Sequence, residues 1–108
     1  MTTSKQQLLN MLGLARRAGQ ITAGEGLVLK SIRAHQARVV FLACDAGKST
    51  VKQFINKCQY YQIPLITMFT KAELSQAIGQ KRTVIAVEQA GFAKRIIELA
   101  NDAEETTN

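Results

Sequence analysis

Apolar and polar positions alternate between two periods along this chain, one helical and one extended, with no internal linker and no repeat. Leu8, Leu9, Met11, Leu12 and Ala15 recur at helical spacing, so a first helix is expected from Ser4 and Gln7 to the paired cations Arg16 and Arg17, closed by Gly19. Gln20 and Ile21 fit a short edge strand. Residues 24 to 33 read as a second helix with Leu27, Val28 and Ile32 facing inward and Lys30 and Arg33 outward. Thr22 and Glu25 have the T-x-x-E spacing of a capping box at its start. The unbroken apolar run from Val39 to Cys44 predicts a strand over 38–44 covered on both faces, ending before Asp45. Val51, Phe54, Ile55, Cys58 and Tyr61 trace one stripe of a third helix that Ile63 and Pro64 end. Leu65 to Phe69 predict a strand. Thr70 and Glu73 make a second T-x-x-E box, opening a short helix that Gly79 stops. Val84 to Val87 predict the last strand, and Phe92, Ile96, Leu99 and Ala100 mark a final helix.

Short strands separated by helices imply a sheet with helices on both sides. The expected fold is therefore α/β, a three-layer α/β/α sandwich with a small mixed sheet of about four strands. Residues 1–101 would form one domain, and 102–108, DAEETTN, a frayed acidic tail.

Charge sharpens this picture. The chain of 108 residues carries 14 Lys and Arg against eight acids, a formal +6. Three of those acids lie in the last seven residues, so residues 1–101 carry 14 cations against five acids, or +9. A surplus of that size favours a polyanionic partner. No secretory signal and no apolar run of the ~18 residues a membrane span needs are visible, and a cytoplasmic location is expected. Cys44 and Cys58 read as core thiols in a reducing compartment, and His35 as an exposed linker residue without a metal constellation.

Candidate chemistry is sparse. Residues 47–50, GKST, resemble the end of a nucleotide-binding phosphate loop between a strand and a helix. The motif requires a glycine five residues before Gly47, where Leu42 stands mid-strand, and Thr50 with Gln53 reads instead as a helix cap. Lys48 remains a candidate phosphate contact. His35 has no serine and acid placed for a triad, and the five acids of the domain fall in separate elements. An enzyme is not expected, and no cofactor or metal is implied. A helix start of small residues, with cations one and two turns on, suits close approach to a phosphate backbone, which makes RNA binding the leading expectation. A protein-interaction module on the same fold and a GKST-dependent nucleotide enzyme are the alternatives.

Five segments together resemble a known family. They are G-E-x-L-V-x-K at 24–30, R-V-V-F-L-A-x-D at 38–45, N-K-C at 56–58, T-K-A-E-L-x-x-A-I-G at 70–79 and V-x-x-A-G-F-A at 87–93. In this order they are similar to the kink-turn RNA-binding ribosomal proteins of the large-subunit L-seven-Ae and L-thirty-e type, in particular its small bacterial members, over residues 8 to 100. The resemblance implies a non-catalytic protein that recognises structured, kinked RNA within a ribonucleoprotein, ribosomal RNA being one candidate. It implies two RNA-gripping surfaces. The first is Gly24, Glu25, Gly26, Leu27 and Lys30 at the start of the second helix, to which the charge layout of that helix adds Arg33 as a candidate RNA contact. The second is Lys81, Arg82, Thr83 and Val84 before the last strand. The chain departs from the family at Gly26-Leu27, where archaeal and eukaryotic members carry Asn-Glu to read sheared G·A pairs. It departs again at Ser75, which replaces a glycine. Leu27 has a competing assignment as a core residue, which its place on the apolar face favours.

Overall fold

In the computed structural model, which describes residues 3–106 and side chains as far as Ala103, five helices enclose a four-stranded sheet. Strands β2 (Val39–Leu42) and β4 (Val84–Val87) are buried at every position. Their alternate side chains feed two different cores, as an extended backbone requires. Val39, Phe41, Ile85 and Val87 face one core with α1 (Ser4–Arg17), α4 (Lys71–Ile78) and α5 (Ala90–Thr106). Val40, Leu42, Val84 and Ala86 face the other, with Val28 and Ile32 of α2 (Glu25–Arg33) and Phe54 and Cys58 of α3 (Lys48–Tyr60). The expected α/β/α sandwich is what forms.

The sheet order is β1-β4-β2-β3, with β1 (Ile21–Ala23) and β3 (Leu65–Ile66) at its edges. β4 pairs antiparallel with both β1 and β2, while β2 pairs parallel with β3. The short edge strand expected near Ile21 is present. β3 is shorter than the expected 65–69, because only Leu65 and Ile66 find partners on β2. Phe69 leaves the ladder, yet its carbonyl accepts from the Cys44 N–H at 2.8 Å.

Helix ends show where local patterns were followed and where tertiary contacts won. Thr3, rather than Ser4, caps α1, accepting from the Gln6 N–H. At α4 the Thr70–Glu73 capping box is complete, and Gly79 ends the helix at φ +74°, a left-handed conformation that glycine takes without side-chain cost. The Thr22–Glu25 box does not form. Thr22 lies in β1 opposite Ala86, and Gly24 is the cap residue of α2 with no side-chain cap bond. Nor does Thr50 cap α3 with Gln53. The helix starts earlier, from Gly47, and the Thr50 hydroxyl donates to Glu25 Oε1 at 3.2 Å.

Cys58 is buried as expected, and burial pushes its thiol up to about 11. Cys44 is exposed rather than a core thiol, because β2 ends at Leu42 and Ala43 is the last buried residue before the chain leaves the sheet. α5 continues through Asp102 and Ala103, and Ala103 packs into the first core, so the domain does not end at residue 101. The remaining acids of the expected tail, at 104 and 105, lie outside the described side chains.

Candidate nucleic-acid interface

The start of α2 is built by a backbone conformation. Gly24 has φ +102° and ψ 147°, a region essentially restricted to glycine. In that geometry its carbonyl accepts the first helical bond, from Val28 at 2.9 Å, and its N–H donates to the Val84 carbonyl at 3.0 Å. The amides of Glu25, Gly26 and Leu27 precede that first helical bond, and no side chain caps them. A Cβ on Gly26 would meet nothing within 4 Å, so the backbone there is open to a ligand. The N-terminal end of a helix dipole and exposed donors together favour an anion.

The loop before β4 is the second surface. The Ser75 hydroxyl accepts from the Arg82 N–H at 3.1 Å and donates to the Arg82 carbonyl at 3.4 Å. The departure from glycine at this position therefore supplies a clamp on the loop. Arg82 Nη1 donates to the Lys81 carbonyl at 2.7 Å, and Arg82 Nε would lie 3.9 Å from a Cβ placed on Gly24. The Thr83 carbonyl accepts from the Ala43 N–H at 2.8 Å, fixing the loop's far end to the residue that follows β2.

These contacts make one continuous surface of the two sequence-separated segments. Gly24, Glu25, Gly26, Lys81, Arg82 and Thr83 lie together, and Lys30 is exposed about 7 Å further along α2 by helical rise. Leu27, expected in the core, is 61% exposed, so the first turn presents an apolar side chain beside its amides. Val84 is fully buried and offers only its backbone, which Gly24 already engages. Arg33 is the last residue of α2, about 12 Å from Glu25 by the same rise, and does not join this surface.

Lys48, the candidate phosphate contact of the sequence, stands at the start of α3. The Thr50–Glu25 bond brings that start alongside this surface, so exposed Lys48 adds to the positive edge. Next to Lys48 a shallow groove of about 420 Å³ has Cys44, Ala46, Val51 and Ile55 along it, with Lys48 and Lys52 at its rim. This edge also carries two acids: Glu25, which accepts from the Thr50 hydroxyl at 3.2 Å, and Asp45, whose carboxylate accepts from the Lys71 N–H at 2.8 Å, at the start of α4. GKST does not sit in a phosphate loop. Leu42, in the position of the required first glycine, is a fully buried strand residue. Among the described residues no group of three His, Cys, Asp or Glu side chains is placed to hold a metal, and no helix is long and apolar enough to cross a membrane.

The structure is thus an α/β/α domain that presents an uncapped glycine helix start beside a basic loop at one end of its sheet. Residues 6–97 match the ribosomal protein L7Ae/L30e/S12e/Gadd45 family, and the chain belongs to it. It is similar to a protein of Enterococcus faecium named RNA-binding protein YlxQ, 41% identical over 96 residues, covering 89% of this chain and 93% of that protein. A protein of Bacillus subtilis (strain 168) with the same name is 42% identical over 90 residues, covering 82% and 90%. Among solved structures, a protein of unknown function from Bacillus halodurans superposes with a TM-score of 0.84 at 40% identity, covering 87% of this chain and 96% of that one. The 15.5kD RNA binding protein of Giardia lamblia shares the fold, with a TM-score of 0.79 at 20% identity, covering 94% and 88%.

Proposed function

We propose that this chain is a non-catalytic RNA-binding protein that grips structured RNA, within a ribonucleoprotein, through the joined surface of the α2 start and the 79–83 loop. The observation that carries the reading is the Gly24 N–H to Val84 carbonyl bond, with Arg82 beside it. It holds free first-turn amides and a clamped basic loop in one anion-facing patch. The two relatives named as RNA-binding proteins support the same reading. A bent backbone is the natural ligand, because it brings phosphates from two directions against Lys30, Lys81 and Arg82 while an unstacked base meets the apolar groove beside Lys48. Gly26 and Leu27 carry no polar side-chain atoms, so recognition rests on backbone shape and charge rather than on sheared G·A pairs. Ribosomal RNA is a candidate partner. The free thiols of Cys44 and Cys58 accord with a cytoplasmic site of action.

The test is an NMR titration with a kinked RNA and with a straight duplex. The amides of Glu25, Gly26, Leu27 and residues 81–83 should shift first and saturate with the kinked RNA. Shifts spread evenly over all basic faces, or no shifts at low salt, would contradict the reading and favour a protein-interaction module.

A further inference from the structure

The opposite end of the sheet carries a second cluster that the proposed interface does not use. α2 and α3 both end there, in the same way. The N–H of His35 bonds the Ile32 carbonyl and that of Gln36 bonds Ser31; at α3, Gln62 bonds Gln59 and Ile63 bonds Cys58. Each is a Schellman ending, whose left-handed position usually holds glycine. Here those positions hold side chains, His35 at φ +59° and Gln62 at φ +57°. Both line a cleft of about 250 Å³ with Tyr61 and Arg38, and none of its lining residues is acidic. The His35 ring meets Tyr61 edge-on at 5.5 Å, and Tyr61 meets Tyr60 edge-on at 4.9 Å. Tyr60 is 79% exposed, the most exposed of the large hydrophobic side chains described. Arg33, which the fold separates from the α2 start, closes α2 two residues before His35 and is exposed, as is Arg38.

We infer that this end is a second RNA-contacting site, for a single-stranded segment, in which an unpaired base stacks on Tyr60 and the flanking phosphates meet Arg38 and Arg33. The chemistry fits no other ligand class as well. Exposed aromatic rings beside arginines, around a cleft whose lining holds no acid, are the makeup of sequence-tolerant single-strand sites. Two strained non-glycine positions bound the same cleft, and strain of that kind collects where a side chain is needed. The inference rests on the RNA-binding reading and extends it to a single strand emerging from, or lying beside, the structured element.

The chain supplies its own probe. Its two tyrosines are Tyr60 and Tyr61 and it has no tryptophan, so intrinsic tyrosine emission reports on this cluster alone. Titration of the full chain with oligouridylate should quench that emission saturably, after inner-filter correction, whereas a kinked RNA lacking single-stranded ends should leave it nearly unchanged. By anisotropy of labelled oligouridylate, Tyr60→Ala should weaken binding by about five-fold or more. Tyr60→Phe should retain it, and Arg38→Ala should weaken it with a shallower salt dependence. Tyr60→Ala should leave affinity for the tail-less kinked RNA as it was. The inference is overturned if oligouridylate leaves the emission unchanged, if Tyr60→Ala and Tyr60→Phe bind it equally, or if the tail-less RNA quenches just as well. In those outcomes, kinked-RNA binding that depends on Lys30 and Arg82 leaves the first site standing. Failure of both RNAs to bind removes both readings.

Discussion

Two glycines at the start of α2 should respond to the same substitution in opposite ways. Gly24→Ala places a Cβ on a backbone at φ +102° and ψ 147°. The new methyl would make only an ordinary contact, with Arg82 Nε at 3.9 Å, so no overlap adds to the cost. Backbone strain alone should therefore destabilise the fold by about 1–3 kcal/mol. For a domain of this size that lowers the melting temperature by about 4–8 °C per kcal/mol. Gly26→Ala is helical and meets nothing within 4 Å, so it should stabilise by up to about 1 kcal/mol through reduced chain entropy. Yet, in the proposed mode of RNA binding, its methyl would stand where a phosphate would approach the first-turn amides. Losing one charge-assisted hydrogen bond, worth about 1.5 kcal/mol at least, weakens RNA binding roughly ten-fold. The assay is urea or thermal unfolding of both variants beside anisotropy titration with a kinked RNA. A Gly24→Ala protein as stable as the parent would refute the strain argument. A Gly26→Ala protein that binds RNA at full strength would refute the amide argument.

Ser75→Ala removes both contacts that clamp the Arg82 backbone, at a cost of about 1 kcal/mol, and should speed hydrogen exchange at the Arg82 amide; an unchanged rate there would show that the clamp does nothing. Iodoacetamide should alkylate exposed Cys44 in the native protein while buried Cys58 reacts only on unfolding, as peptide mapping can read. Because burial raises the Cys58 thiol to about 11 from 9.0, the unfolded chain gives up its proton first, so stability should fall as pH rises from about 9 to 11; Cys58→Ala should lessen that fall, and an identical pH profile would contradict the assignment.

What the sequence disclosed depended on whether a pattern's partners were local. β2 and β4 were legible because strands covered on both faces must be apolar at every position, and the run from Val39 and the run from Val84 are. The Thr70–Glu73 box was legible because both members act within one turn. The same spacing at Thr22–Glu25 and Thr50–Gln53 misled, since β1 pairing takes Thr22 out of the helix and Glu25 takes the Thr50 hydroxyl across α2 and α3. Leu27 sat among inward residues by pattern, yet Val28 rather than Leu27 carries the first turn's contact with β4 and α3, and Leu27 stays exposed. The candidate site was half legible. Glycines and cations named its two segments, but the Gly24–Val84 bond that joins them links distant positions and has no sequence signature. Val84 and Arg33 fell out through tertiary structure too, one through burial in the second core and the other through the length of α2.

RNA held by a shaped patch and RNA held by a diffuse positive surface depend on different side chains. Lys30 and Arg82 lie at that patch, whereas Lys94 and Arg95 lie exposed on α5, with Arg95 Nη1 3.4 Å from Glu98. Removing either pair to alanine takes away the same formal charge, so a diffuse field would lose equally from both. The deciding measurement is the affinity of the two double variants for a kinked RNA and a straight duplex, at one salt concentration, with folding checked by circular dichroism. With a shaped patch, Lys30→Ala with Arg82→Ala should cost several times more affinity for the kinked RNA than Lys94→Ala with Arg95→Ala, and should abolish the preference for it. Equal losses from both pairs on both RNAs would contradict a shaped patch.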